Sequence, residues 1–368
     1  MRQSCHHDVV GSLLRPRALL EARGRLERGE IDPPEFKRVE DAAVDAVIRL
    51  QEDVGLAVVT DGEMRRLSFQ SQLTEAVEGF SDWDLDAFLW GDWHGADVGD
   101  KRIERPPIAV LGRLRRRRFL SAEEFAYARG RTERIVKVTL PSPSLFANFY
   151  DPERSRGAYR TLESFLADVA EILRDEVDEL VRLGCDYVQL DAPHYPLLLD
   201  AGYRDFYTSR GWPAERWLDL GVELDNIVIG QRPGIVFGFH LCRGNQQSRW
   251  LVEGGYHWLA QRLFPRVRAQ RLLLEYDDAR SGGFEPLATV PQDKTVVLGL
   301  VTTKTGRQET IDGLETRICE AAHHLPLERL ALSAQCGFAT SILGNAVSTA
   351  DQEAKLRTIV ATAERVWG

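Results

Sequence analysis

The sequence has few cysteines and no long apolar run. Its cysteines, Cys5, Cys185, Cys242, Cys319 and Cys336, are odd in number and widely spaced, which is not the pattern of a disulfide framework. Reduced thiols and metal binding are expected instead. No apolar run approaches the roughly 18 to 20 residues that cross a bilayer, and residues 1–7 lack the apolar core of a secretory signal. We therefore expect a cytoplasmic protein with no membrane partner.

The sequence also has fewer basic than acidic residues. The 368 residues include 47 Lys and Arg against 56 Asp and Glu, a net charge of −9. Binding to nucleic acid depends on cationic side chains that neutralise phosphates, so the balance argues against such a partner. No Gly-rich phosphate fingerprint follows the first apolar strand, which argues against a doubly wound dinucleotide-binding sheet. The expected partner is a small molecule or a protein.

Short apolar runs recur along the chain, with helix-compatible sequence between most of them. They begin near residues 8, 56, 134, 186, 235, 271, 295 and 329. Eight strands that alternate with helices predict a (β/α)₈ TIM barrel, with a doubly wound open sheet as the alternative. Because no linker or fixed-period repeat interrupts the pattern, we expect a single domain over residues 1–368.

One stretch departs from this alternation. Residues of about 73–131 are aromatic and acidic, and we predict an insertion between the second and third strands, built from a hairpin and a helix. Within it, the arginine-rich run at 113–118 is predicted to form a solvated face, with a dedicated anion site as the alternative.

Side chains that can bind metal lie at the ends of three predicted strands. His240 and Cys242 end the run that starts at 235, and because they are two residues apart, both point to one face. Glu275 ends the next strand and Cys336 ends the last. Barrel active sites lie at the C-terminal strand ends, so the four should converge, and their donor atoms suit Zn²⁺. Taken singly, Cys336 is more often an inert buried cysteine and Glu275 a salt-bridged carboxylate.

Several short stretches together resemble the cobalamin-independent methionine synthase superfamily, specifically short proteins similar to its C-terminal catalytic domain. They are residues 10–16, 59–63, 189–193, 240–245, Glu275 and residues 335–337. The resemblance implies alkyl transfer with a zinc-bound thiolate as the nucleophile. It implies zinc ligation by His240, Cys242, Glu275 and Cys336, and contacts to the thiol substrate by Gly11, Ser12, Glu63 and Asp191. The incoming thiol is expected to displace Glu275 from the metal.

Two positions depart from the long enzymes of that superfamily. Phe149 stands where they carry a Trp that packs on the pterin of the donor, and Lys304 stands where they carry a catalytic His. We keep Phe149 as a substrate contact on the donor side. Glu275 and Lys304 are the predicted catalytic residues, and Lys304 is predicted either to neutralise an anionic substrate or to cap a strand end.

The leading hypothesis is a zinc-dependent methyltransferase that acts on homocysteine or a related thiol. The methyl donor is a folate, a methylcorrinoid, with a corrinoid protein as partner, or another small molecule. The alternative is a thiol addition to an epoxide, similar to epoxyalkane:coenzyme M transferases, although Glu63 and Asp191 favour a thiol that carries an ammonium group. A hypothesis of another class is a non-catalytic barrel with a closed, structural zinc site.

Overall fold

The computed structural model of the chain describes residues 5–83, 85 and 90–368. Its strands, numbered in chain order, are β1 (Val58–Val59), β2 (Val77–Phe80), β3 (Gly91–Trp93), β4 (Lys101–Ile103), β5 (Val110–Arg116), β6 (Ile135–Pro141), β7 (Tyr187–Asp191), β8 (Val236–Leu241), β9 (Arg271–Glu275), β10 (Thr295–Val301) and β11 (Leu330–Ala334). Seven of them form one parallel sheet in the order β1-β6-β7-β8-β9-β10-β11. All seven begin close to a predicted start, so the second to eighth predicted strands are confirmed.

Helices connect these strands and cover the outer face of the sheet. They are α1 (Arg17–Glu27), α2 (Pro33–Asp53), α3 (Ser71–Ala76), α4 (Ala122–Arg129), α5 (Leu162–Arg182), α6 (His194–Leu197), α7 (Ala201–Ser209), α8 (Ala214–Ile229), α9 (His257–Arg262), α10 (Ile311–Ala322) and α11 (Thr349–Trp367). Local chemistry sets their starts: the Asp32 side chain accepts the Glu35 N–H, and a cap of this kind contributes about 1 kcal/mol. No helix within the described ranges is long and apolar enough to cross a membrane.

The sheet is curled into a half-barrel, and its eighth position is a bridge rather than a strand. Near residue 8, where a strand is predicted, one parallel bridge joins His7 to Leu332 of β11. The Asp8 side chain takes the Val9 N–H at 2.9 Å, and because that donor lies on the side of the segment away from β11, it cannot pair with a strand there. On the other side, the segment reaches the residues after β1 through the bond from Leu13 N to Gly62 O. The α/β class is confirmed, whereas the described residues do not form a closed eight-stranded barrel.

The predicted insertion lies between β1 and β6. It contains α3, α4 and two antiparallel strand pairs, β2 with β5 and β3 with β4, so it holds two hairpin-like pairs where one was expected. Residues 84 and 86–89 of the insertion lie outside the described part of the chain, as do residues 1–4, part of the segment that was compared with a secretory signal. The single domain over 1–368 stays a prediction.

The arginine-rich run at 113–118 forms an ion-paired outer surface. Arg115 and Arg117 both donate to Glu78 on the neighbouring strand β2, and Arg113 and Arg116 face Asp168 and Asp175 of α5. Four of the five arginines of the run are matched by carboxylates, and the fifth, Arg118, donates to the backbone oxygens of Phe119 and Leu120, which agrees with a solvated face.

The insertion also packs on the loop that follows β8. His94 and Trp250 exchange two backbone hydrogen bonds, from His94 N to Trp250 O at 2.8 Å and from Trp250 N to His94 O at 2.9 Å. Beneath them Trp93 is buried against Gly244, where a Cβ atom would lie 2.8 Å from the indole ring and φ is +91°. Only glycine combines that close approach with that backbone conformation. The insertion therefore fixes the loop that carries Cys242.

Candidate metal and thiol site

Three of the four predicted metal ligands meet at the carboxyl ends of the strands. His240 lies near the end of β8, Cys242 directly follows β8, and Cys336 follows β11 by two residues. Their ligand atoms all lie within 4.8 Å of one another, and all three residues are buried. Within the described residues, neither ring nitrogen of His240 has a hydrogen-bond partner. A buried imidazole without partners is costly, so this geometry fits residues that hold a metal ion.

The two thiols of this cluster have pKa values that move in opposite directions. The neighbouring Cys336 thiol and the His240 imidazole hold the pKa of Cys242 well below its usual range. The neighbouring Cys242, together with burial, raises the pKa of Cys336 well above its usual range. A lowered thiol pKa favours the thiolate form that binds metal, and an N, S, S donor set of this kind suits zinc.

Glu275, the fourth predicted ligand, lies outside the three-residue cluster and is paired with cationic side chains. Its Oε1 accepts from Arg280 at 2.6 Å and from Lys304 at 3.3 Å, and its Oε2 accepts the Arg243 N–H at 2.7 Å. Burial acts to raise the pKa of this carboxyl, but the charges of Lys304, Arg280 and Arg243 outweigh it and lower the pKa to about 2. In this structure Glu275 is therefore a salt-bridged strand-end carboxylate, the alternative considered from the sequence. Its role as a zinc ligand stays a prediction.

The predicted thiol contacts line the cavity beside the cluster. Gly11, Ser12, Glu63 and Asp191 share its wall with the three ligands, and its volume is about 40 Å³. A cavity of this volume holds only a few atoms, so it suits the thiol-bearing part of a small substrate.

Glu63 presents an unpaired carboxylate oxygen in this region. Its Oε1 accepts from Thr139 Oγ1 at 2.8 Å, whereas its buried Oε2 has no partner among the described residues. The backbone of Glu63 is left-handed, with φ of +56°, a conformation that a non-glycine residue adopts at a cost of order 1 kcal/mol. A Cβ at Gly11 would lie 2.8 Å from Glu63 Oε1, so glycine is needed there. Strain and an unpaired acceptor are typical of a ligand-binding position, and the role of Glu63 as a thiol contact stays a prediction.

Asp191 is the second carboxylate of the cavity. It ends β7 and is paired in register with His240 of β8. Its Oδ1 accepts from Gln189 Nε2 at 2.7 Å. Burial raises the pKa of Asp191 to about 7, although the nearby His240 acts in the opposite direction. A cationic group in the cavity would favour the charged form of this carboxylate.

Two predicted residues do not lie on this cavity. Phe149 is fully buried and packs edge-on against Phe80 of the insertion, with ring centroids 5.0 Å apart. Lys304 lines a separate cleft of about 490 Å³ and contacts Glu275 of the site at 3.3 Å.

Several residues of the site were not predicted. Arg280 holds Glu275, while Asn245 and Thr340 line the cavity. Thr139 and Lys137 face the barrel interior from β6. Polar residues at alternate positions of an otherwise apolar strand are a signal that would have identified these last two, because alternate residues share one face.

The half-barrel and its strand-end cluster define the class: an α/β protein that gathers an imidazole, two thiols and two carboxylates around one small cavity. Comparison with known proteins identifies the family. The chain belongs to the cobalamin-independent synthase family, catalytic domain, whose model matches residues 8–364. The resemblance drawn from the sequence is thereby confirmed.

Individual relatives match nearly the whole chain. An uncharacterised Bacillus subtilis protein, YxjH, is 31% identical over 98% of this chain and 94% of its own length. A methionine synthase from Pyrococcus abyssi is 29% identical over 90% of this chain and 85% of its own. A Listeria monocytogenes protein, solved as a candidate vitamin-B12-independent methionine synthase, superposes with a TM-score of 0.74 at 26% identity and covers 99% of this chain and 98% of its own.

Proposed function

We propose that the protein transfers a methyl group to the thiol of homocysteine or a closely related amino thiol, with a zinc ion held by His240, Cys242 and Cys336. The observation that carries the proposal is the partnerless imidazole of His240, which lies with two thiols on the wall of a cavity that also holds Glu63. Family membership supports methyl transfer, and methionine is homocysteine methylated on sulfur.

Zinc would supply the thiolate. A free thiol is mostly protonated at neutral pH, and zinc coordination lowers its pKa while its sulfur stays nucleophilic. Cys242 and Cys336 donate negative charge to the ion, which favours a reactive substrate sulfur over a sequestered one. A structural zinc would need no adjoining cavity with an unpaired carboxylate, so Glu63 favours the catalytic reading over the structural one.

The carboxylates of the cavity select the thiol. Glu63 and Asp191 offer acceptors to a substrate ammonium group, and Gly11 leaves space for the substrate beside Glu63. An ammonium–carboxylate hydrogen bond in a buried site contributes about 1.5 to 3 kcal/mol. These two carboxylates therefore favour an amino thiol over a thiol that carries a sulfonate, for which cationic side chains would be needed.

Glu275 acts in the proposal as an exchangeable fourth ligand that gives way to the substrate thiol. Its contacts with Arg280 and Lys304 support this, because they give the displaced carboxylate a fully paired position. Lys304 is proposed to balance negative charge on the donor side of the site.

The donor proposed first is a methyltetrahydropteroylglutamate, in line with family membership. The position of Phe149 gives little support to this donor, because the Phe80 ring packs against the Phe149 ring. The similar proteins give no support to an epoxide or a corrinoid donor.

A cysteine series tests the function. Cys336→Ser and Cys242→Ser should each lose stoichiometric zinc and lose methyl transfer from 5-methyltetrahydropteroyltriglutamate to L-homocysteine. Cys319→Ser is the matched control, because Cys319 is exposed on α10 and should keep both. Full activity in zinc-free Cys336→Ser protein would contradict the proposal.

A further inference from the structure

A hydrogen-bonded series of buried polar side chains crosses the interior of the half-barrel and ends at Asp191. Lys137 Nζ of β6 donates to Asp8 Oδ1 at 2.9 Å and to Gln189 Oε1 at 2.7 Å. Gln189 Nε2 of β7 donates in turn to Asp191 Oδ1 at 2.7 Å and to Val10 O at 2.9 Å. Each side chain in the series is at least 95% buried, so no solvent competes for these bonds.

Lys137 dictates which way the Gln189 amide faces. An ammonium group can only donate hydrogen bonds, so the amide atom next to Lys137 must be the oxygen. The NH₂ group is thereby turned toward the ionised carboxylate of Asp191 and the carbonyl of Val10, which both accept. Rotating the amide would place an N–H against the ammonium and an oxygen against these two acceptors, which loses all three bonds.

The Gln189 N–H in turn fixes the Asp191 carboxylate. One oxygen, Oδ1, is occupied by Gln189, which sets the plane of the group at the wall of the cavity. A carboxylate held in one orientation binds an ammonium without first losing rotational freedom, which is the advantage of preorganisation.

We propose that Lys137 and Gln189 are positioning residues that set the preference of the site for thiols carrying an ammonium group. The proposal rests on the function proposed above and adds two residues that touch neither metal nor substrate. They act only through Asp191, and the charge of Asp8 holds Lys137 in place at the far end of the series.

The test compares two thiols that differ only in the amine. L-Homocysteine and 4-mercaptobutanoate have the same chain, thiol and carboxylate, but only homocysteine carries an ammonium group. The dissociation constants of both are measured by calorimetry on zinc-loaded protein. The unaltered protein should prefer homocysteine, and Gln189→Met should reduce that preference by roughly tenfold, the value of one hydrogen bond to a charged group. The affinity for 4-mercaptobutanoate and the zinc content should not change.

A second pair of variants separates position from stability. Lys137→Met leaves Asp8 with Arg271 at 3.3 Å as its remaining cation, so the fold should lose stability, and the Gln189 amide loses the ammonium group that orients it. This variant should show the same reduced preference as Gln189→Met with an unchanged affinity for 4-mercaptobutanoate, a result that a purely structural role of Lys137 does not give. Lys294→Met is the matched control: Lys294 is also buried but donates to the carbonyls of Val267 and Ala269, away from the cavity. It should lose stability and keep the preference.

Each outcome decides between the two proposals. If the unaltered protein does not prefer homocysteine, the amino-thiol function fails and this inference fails with it. If the unaltered protein shows the preference and Gln189→Met and Lys137→Met both retain it, the function stands and the positioning role is overturned.

Discussion

Buried carboxylates at the two ends of the half-barrel interior differ in how their oxygens are paired. Near the amino ends of the strands, Asp8 is bound on both oxygens, by Lys137 at 2.9 Å and by Tyr187 and Arg271 at 2.6 and 3.3 Å. At the carboxyl ends, Glu63 is bound on one oxygen by Thr139 and leaves the other without a partner. The first arrangement stabilises the fold, and the second reserves an acceptor for a ligand. An oxygen without a partner, and not burial of charge, therefore distinguishes the carboxylate at the cavity from the one at the amino end.

Removing the carboxylate at the amino end should have the largest effect on stability. Asp8→Ala leaves Lys137 and Arg271 buried without their carboxylate, and breaking a buried pair in this way costs about 3 to 5 kcal/mol. Urea denaturation measures the loss. Glu30→Ala, which removes the exposed partner of Arg28, is the control and should leave the midpoint unchanged. Equal midpoints for both variants would remove the contrast between the two ends.

Neutralising the carboxylate at the carboxyl end should affect binding more than stability. Glu63→Gln keeps an oxygen for Thr139 and removes the charge, so KM for homocysteine should rise at least tenfold. The free energy of unfolding should fall by no more than about 1 kcal/mol, because Arg66, which lies 3.6 Å from Glu63 Oε1, keeps Glu124 as a partner at 3.7 Å. An unchanged KM with a loss as large as that of Asp8→Ala would show that Glu63 is structural.

A third buried carboxylate, Asp225, has neutral hydrogen-bond partners, and its effect on stability depends on pH. Burial raises the pKa of Asp225 to about 7, and hydrogen bonds from Tyr195 and Ser142 oppose this only in part. The folded protein then holds a proton that the unfolded chain has lost, so this stability is present below about pH 4 and is lost as pH rises through 7.

The consequence can be measured against a neutral replacement. Between pH 5 and 7 the unaltered protein should lose about 2 kcal/mol of stability relative to Asp225→Asn, as followed by denaturation at each pH. Asp8 should behave oppositely, because the charges of Lys137 and Arg271 outweigh burial and lower its pKa. Parallel pH profiles for the two proteins would mean that Asp225 is ionised throughout.

Much of the fold is readable from the sequence because its signals are local. Apolar runs mark the parallel strands, and the residues that directly follow them, such as Cys242 and Cys336, fall on one rim by topology alone. The missing eighth strand is not predictable in this way, since the pairing of residues 7–9 involves a side chain: Asp8 takes the Val9 N–H on the side away from β11.

The less predictable parts of the site depend on contacts between distant segments. Glu275 ends a strand as expected, but its partner Arg280 comes from the next loop and Lys304 from the end of another strand. Phe149 aligns with a donor contact, yet its ring is covered by Phe80 from the insertion. No periodicity or motif encodes which of two distant side chains fills a given space.

X-ray absorption at the zinc edge tests the central claim most directly. Zinc-loaded protein should show two sulfur ligands, from Cys242 and Cys336, together with nitrogen and oxygen ligands. Addition of L-homocysteine should raise the count to three sulfurs at the expense of an oxygen. An unchanged two-sulfur signal at saturating homocysteine would contradict the account, because the thiol would then not be activated at this cluster.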